Sequence, residues 1–148
     1  GRGSNEDRSQ GASVADDCRV ISGLCRGGCF GMYRIMKQFA FSASHQLSGL
    51  PDDHPCSNLH GHNYVVEVEL SGKTLNDIGF IVDYRKLEPL KRYIDDVLDH
   101  KHLNDVLSFN PTAENLARHL FEQARCQWQE VCAVRVSETP KTMAEYSE

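Results

Sequence analysis

Cys56-Ser57-Asn58-Leu59-His60-Gly61-His62, with a lone His45 upstream, leads through Asn63 into the run Tyr64 to Ser71. There Tyr64, Val66, Val68 and Leu70 alternate with Val65, Glu67, Glu69 and Ser71, the pattern of a half-buried strand. Side chains on a strand repeat with a period of two, so His60 and His62 project to one face and can reach one metal ion. His45 is a candidate third ligand, brought in by pairing from an earlier strand. Three protein ligands with a fourth position open is the arrangement of a catalytic zinc. Cys56, four residues before His60, is close enough to share that cavity and to supply a thiolate base or nucleophile. Other readings stay open on spacing alone. The paired histidines can be ordinary hydrogen-bonded side chains, and Cys56 can be a small buried hydrophobe or a fourth ligand that closes a structural site.

Outward from this stretch, Tyr33 to Ala43 mixes aromatic, β-branched and polar residues and reads as a strand. The segment Ser48 to Ser57 carries Gly49, Pro51, Asp52, Asp53 and Pro55 and reads as a loop. Gly79 to Tyr84 reads as a short third strand. Leu87, Leu90, Ile94, Val97 and Leu98 follow helical spacing, with Pro89 in the first turn, where a missing N–H costs little. A second helix starts at Thr112, a plausible N-cap with Glu114 in the first turn. Its stripe is Leu116, Leu120, Ala124, Trp128 and Val131. A last strand covers Cys132 to Glu138, with Thr142 to Tyr146 pairing beside it. This order implies an α+β fold, with two helices covering one face of an antiparallel sheet.

The 148 residues suit one folded domain. Residues 1–31 are rich in Gly, Ser, Asp and Arg and lack a sustained apolar period. They read as a disordered leader or an expression remnant, leaving 32–148 as the domain. Cys18, Cys25 and Cys29 fall in that leader, fit no good zinc-finger spacing and receive no role. Cys56, Cys126 and Cys132 are too few for a disulfide scaffold, which fits a reducing, cytoplasmic setting. No run is long and apolar enough to span a membrane. A net charge of −5 argues against nonspecific nucleic-acid binding, while still allowing a local basic cluster to hold an anionic substrate.

Several motifs occur together and in order. They are Phe41-Ser42-Ala43-Ser44-His45, Cys56 with His60-Gly61-His62-Asn63-Tyr64, and Gly79-Phe80-Ile81-Val82-Asp83-Tyr84. They continue with Leu98-Asp99-His100-Lys101-His102-Leu103-Asn104, Asn110-Pro111-Thr112-Ala113-Glu114-Asn115-Leu116 and Val136-Ser137-Glu138-Thr139. From about Met32 onward the chain resembles the 6-pyruvoyltetrahydropterin synthase/6-carboxytetrahydropterin synthase family. The three residues between Cys56 and His60 look like the bacterial 6-carboxytetrahydropterin synthases of the queuosine pathway.

The resemblance implies the tunnelling fold, in which subunit sheets join into an oligomeric β-barrel and trimers stack into a homohexamer with active sites at subunit interfaces. It makes His45, His60 and His62 ligands of Zn2+ and Cys56 the general base. It completes a relay with Asp99 and His100, which otherwise read as an ordinary helix end. It gives Glu138, otherwise a solvated strand-end carboxylate, the 2-amino group and ring N–H of a pterin, away from the metal-bound side chain. Thr112 would contact the pterin through its backbone, although its cap role is sufficient by itself. His54, His102 and His119 read as surface or structural. The implied reaction converts 7,8-dihydroneopterin triphosphate to 6-carboxy-5,6,7,8-tetrahydropterin, acetaldehyde and triphosphate, towards queuosine and 7-deazaguanine. The alternatives are 6-pyruvoyltetrahydropterin synthesis, by triphosphate elimination, and a non-enzymatic zinc-stabilised binding module.

Overall fold

Strand β1 (Tyr33–His45) and strand β2 (His60–Gly72) pair antiparallel from Tyr33 opposite Gly72 to His45 opposite His60. The computed structural model describes residues 31–148. The expected leader, apart from Gly31, and Cys18, Cys25 and Cys29 lie outside the described residues. Both strands are longer than their apolar alternation predicts. Each continues past its last apolar residue through the histidines, which keep the same period.

After β2 come helix α1 (Glu88–Tyr93), strand β3 (Lys101–His102), helix α2 (Leu103–Val106), helix α3 (Ala113–Arg125), strand β4 (Val131–Thr139) and strand β5 (Thr142–Ser147). The strand order across the sheet is β3-β1-β2-β4-β5. The sheet is mixed rather than wholly antiparallel, because β3 runs parallel to β1 with Ala43 beside Lys101 and Ser44 beside His102. It is an open sheet in the single chain.

Residues 79–84 form no strand, contrary to the sequence reading. Asn76 Oδ1 accepts the N–H groups of Ile78 and Phe80, and Gly79 takes φ +88°, in the left-handed region. Asp83 then caps a short 3-10 turn, Tyr84–Leu87, by accepting the Arg85 N–H. Local side-chain bonds thus satisfy backbone groups that a strand would offer to a neighbour.

One face of the sheet carries the core. Phe39, Phe41 and Ala43 of β1, Tyr64, Val66, Val68 and Leu70 of β2, and Val134 and Val136 of β4 are buried against the helices. Helix α1 supplies Leu90 and continues into a wide π turn, Ile94–Leu98, which buries Ile94 and Leu98. Thr112 caps α3 by accepting the Asn115 N–H, and α3 buries Leu116, Ala117, Leu120, Phe121 and Ala124. Trp128 and Val131 of the predicted stripe lie beyond α3, with Val131 opening β4. The helical cover extends beyond the two predicted helices to the one-turn α2.

The opposite face is polar, and its side chains pair across strands. Ser44 meets His102, Ser42 meets Asn63, and Gln38 meets Glu67. Glu69 lies between Arg34 and Arg135, and these guanidiniums hold its carboxyl below the usual carboxylate range. Among the described residues no helix is long and apolar enough to cross a membrane.

Candidate metal centre

The core-facing rows change character at one end of the sheet. The row Phe39, Phe41, Ala43 continues to His45, and the row Leu70, Val68, Val66, Tyr64 continues to His62 and His60. Cross-strand pairing sets His45 opposite His60 and Ala43 opposite His62. One nitrogen from each of the three rings falls within 4.8 Å of the others, so the predicted ligands do converge. Gly61 between them faces the other side, where a Cβ would come 3.3 Å from the Ala43 carbonyl oxygen.

Hydrogen bonds fix two of the rings. His45 is fully buried, and its Nδ1–H donates to the Pro111 carbonyl at 2.8 Å. His60 Nδ1–H donates to the Asn58 carbonyl at 2.7 Å. In neutral rings this leaves both Nε2 atoms as bare acceptors, and they face each other at 2.9 Å. Two lone pairs at that distance repel unless a cation lies between them. A ring proton is one candidate. Burial pushes the His45 imidazole below its ordinary pKa, against the raising influence of the Pro111 carbonyl and Glu138, so a charged ring is disfavoured there. A metal ion fits the donor set, with each carbonyl fixing the tautomer of a ligand from behind. Tyr64 stands beneath, its hydroxyl 3.2 Å from His45 Nδ1, and burial drives its phenol pKa far up, so it remains protonated.

The backbone around His45 is clamped by motif residues to which sequence reading gave no part. Asn104 accepts the Gln46 N–H and donates to the Gln46 carbonyl, at 2.9 and 2.8 Å. Asn110 does the same to Ser48, at 3.0 and 3.1 Å. Two amide side chains therefore continue the edge pairing where β1 ends. Asn115 holds the Asn110 carbonyl, and Pro111 supplies the acceptor for His45. The sequence shows Asn104, Asn110 and Asn115 within these two motifs, but nothing in it identifies their partners.

The remaining predicted residues take distinct places. Cys56 is half-buried in the short turn Pro55–Ser57; its N–H donates to His54 Nδ1, and its carbonyl accepts from Leu47, two residues after His45. It is not a member of the three-histidine cluster. Asp99 closes the π turn and accepts the Ser42 N–H at 2.8 Å, with its other oxygen 3.5 Å from His100 Nε2. His100 has φ +55°, a left-handed conformation rare for a non-glycine residue, and donates its N–H to the Ser42 carbonyl at 2.7 Å. Its side chain is 82% exposed.

Glu138 follows Val136 on the core-facing row, and its carboxylate lies 3.9 Å from His45 Nε2. It thus stands beside the histidines rather than away from them, because β4 pairs with β2 up to Val65 opposite Ser137 and delivers the next residue to the same end. His62 and Glu138 line one cavity of about 590 Å³. Thr112 has its N–H on Asn110, its carbonyl on Leu116 and its hydroxyl on Asn115. His54, His102 and His119 each make a hydrogen bond, to the Cys56 N–H, Ser44 and Tyr93 respectively.

Comparison with known proteins gives one family. The family profile described as 6-pyruvoyl tetrahydropterin synthase matches residues 34–148. A 6-carboxy-5,6,7,8-tetrahydropterin synthase of Haemophilus influenzae is 31% identical over 143 residues, covering 79% of this chain and all of that protein. A 6-pyruvoyl tetrahydrobiopterin synthase of Dictyostelium discoideum is 37% identical over 102 residues, covering 60% of this chain and 76% of its own. Among solved structures, Caenorhabditis elegans 6-pyruvoyl tetrahydropterin synthase superposes with a TM-score of 0.71 at 29% identity, covering 80% of this chain and 96% of that one.

Proposed function

The chain belongs to the 6-pyruvoyl tetrahydropterin synthase family, and from that premise we propose that it is a zinc-dependent carbon–carbon lyase acting on 7,8-dihydroneopterin triphosphate. With one water consumed, the products are 6-carboxy-5,6,7,8-tetrahydropterin, acetaldehyde and triphosphate, on the route to 7-deazaguanine and queuosine. The observation that carries this reading is the pair of bare Nε2 atoms of His45 and His60, 2.9 Å apart with His62 beside them.

His45, His60 and His62 would hold the metal, which would act on oxygens of the substrate side chain. When bound, zinc polarises those oxygens and makes the neighbouring carbon–hydrogen bond acidic. Cys56, outside the ligand set, takes that proton as thiolate. Asp99 orients His100, which moves a proton to or from the substrate side chain. Glu138 accepts the pterin's 2-amino and ring N–H groups, and its position beside His45 brings the pterin edge close to the ligands. Thr112 forms part of the pterin wall through its backbone. The activity resides in residues 32–148 of a homohexamer whose neighbouring chains complete each site.

6-Pyruvoyltetrahydropterin synthesis is the second reading, since a relative of that name matches at 37% identity. The binding-module reading needs Cys56 on the metal, whereas Cys56 is no member of the ligand cluster. Mass spectrometry of the products formed from dihydroneopterin triphosphate decides among them. The account expects the 6-carboxy product with acetaldehyde. A 6-pyruvoyl product selects the second reading, and unchanged substrate with zinc-loaded protein overturns both.

A further inference from the structure

The turn that carries Cys56 has no apolar anchor. Pro55–Ser57 buries no residue, so hydrogen bonds rather than packing decide where it sits. The His54 N–H donates to the Pro51 carbonyl at 2.9 Å. The His54 carbonyl accepts the Ser57 N–H at 2.9 Å and the Ser57 hydroxyl at 2.6 Å. Its side chain is engaged as well, because Nδ1 accepts the Cys56 N–H at 3.1 Å and caps the turn. His54 therefore ties the turn together through its N–H, its carbonyl and its ring.

Cys56 itself is held from two sides. Its N–H is taken by His54, and its carbonyl accepts the Leu47 N–H at 3.0 Å, just past the end of β1. Gln46 Nε2 adds a bond to the Ser57 carbonyl at 2.7 Å, and the Pro55 ring fixes φ immediately before Cys56. With both backbone polar groups of Cys56 engaged, its Cα–Cβ direction is set relative to the strand that delivers His45. The Leu47 side of this clamp is main chain and survives any substitution short of proline. The His54 side depends on one side chain. Histidine is not among the residues preferred at a cap, which are Ser, Thr, Asp and Asn. An imidazole nitrogen accepts an N–H only when it is bare, so the ring proton of His54 sits on Nε2.

We propose that His54 is the positioning residue of the Cys56 thiol: by accepting the Cys56 N–H, its Nδ1 holds the turn in the geometry from which the thiolate takes the substrate proton. The inference rests on the reading of Cys56 as general base. In this role His54 touches neither substrate nor metal and acts through the Cys56 backbone. A base must stand within hydrogen-bond reach of the proton it removes. A turn without its cap holds that geometry for a smaller share of the time. Loss of the His54 acceptor therefore lowers the chemical step and leaves substrate binding alone.

The test combines turnover of dihydroneopterin triphosphate with hydrogen exchange at the Cys56 amide, resolved to single residues by fragmentation mass spectrometry, on the full-length zinc-loaded protein. His54→Ala, at an exposed position, should keep the metal content and thermal midpoint of wild type. Its Cys56 amide should exchange about tenfold faster and its kcat should fall about tenfold, with KM little changed. His54→Asn keeps a cap acceptor without an imidazole, and should restore slow exchange and most of kcat. Wild-type exchange and kcat in His54→Ala overturn the assignment, even where Cys56→Ala is inactive. An Asn variant as impaired as Ala overturns it as well, because the imidazole itself would then be the requirement. A raised KM with kcat unchanged places His54 on the substrate and has the same consequence. Faster exchange in His54→Ala together with full turnover by Cys56→Ala leaves His54 as the holder of the turn and removes the general-base reading instead.

Discussion

The two ends of the same sheet face differ in what lies across from them. Over most of its length, Phe39, Phe41, Tyr64, Val66, Val68, Val134 and Val136 meet the helices and are buried. At the other end the three central strands change to His45, to His60 and His62, and to Glu138. Backbone geometry is continuous across the change, and only the side-chain chemistry switches. The strands therefore act as a rigid ruler: the apolar end fixes register, and register brings the three imidazoles together. A ligand set on paired strands is held more tightly than one carried by loops, and here the loop elements contribute chiefly carbonyls that orient the rings from behind.

The largest expected contrast comes from one substitution at each end. His62→Ala should reduce bound metal to background while the thermal midpoint of the metal-free form changes little. Leu120→Ala, at a fully buried position, should cost about 2–5 kcal/mol of stability and leave one metal per chain below the midpoint. Metal analysis combined with thermal unfolding reads both, and a metal-replete His62→Ala protein would break the contrast.

Next in size is Cys56→Ala, with turnover down by about 10²–10⁴-fold and metal retained. If neighbouring chains complete each site, mixing Cys56→Ala with His100→Ala after subunit exchange should recover a measurable part of the activity. Mixtures no more active than their components would place Cys56 and His100 of each site on one chain.

Glu138→Gln sharpens the comparison at the polar end. Replacing an acceptor oxygen by an N–H₂ group opposes the pterin donors and should cost about 1–3 kcal/mol of pterin affinity, measured by direct binding to zinc-loaded protein. Metal content should stay at wild type. Unchanged pterin affinity would leave Glu138 as a neighbour of His45 only.

The smallest effect belongs to the helical side. Burial holds the His119 imidazole below its ordinary pKa, with Glu122 acting weakly in the opposite sense, and its Nε2 meets the Tyr93 hydroxyl at 2.6 Å. A lowered folded-state pKa means that the unfolded chain takes up the proton first. Its contribution to stability is therefore intact above the ordinary histidine pKa of about 6.5 and lost as pH falls below it. Denaturant titrations at pH 7.5 and 5.5 should show a smaller acid loss in His119→Gln than in wild type. An equal loss would assign the acid sensitivity elsewhere.

Legibility in the sequence followed the range of the interactions. Period-two alternation from Tyr64 to Leu70 made β2 readable, and the same period placed His60 and His62 on one face. The Thr112 cap and the Leu116, Leu120, Ala124 stripe made α3 readable. Residues 79–84 looked like a strand because their apolar content did not reveal that Asn76 and Asp83 capture the local N–H groups. Strand β3 was invisible because two residues have no period, and its existence depends on pairing with β1 across a long sequence separation. The orienting carbonyls of Asn58 and Pro111 were likewise beyond reach, since every residue carries a carbonyl and only the fold selects which two face imidazoles.

The central claim is that three imidazoles hold the metal, with Cys56 outside the ligand set and one position open to substrate. Zinc-edge X-ray absorption on the full-length zinc-loaded protein tests it directly. The account predicts a shell of nitrogen and oxygen donors alone, with imidazole nitrogens at about 2.0–2.1 Å. A sulfur donor at about 2.3 Å, absent in Cys56→Ala, would contradict it and make the centre a closed structural site.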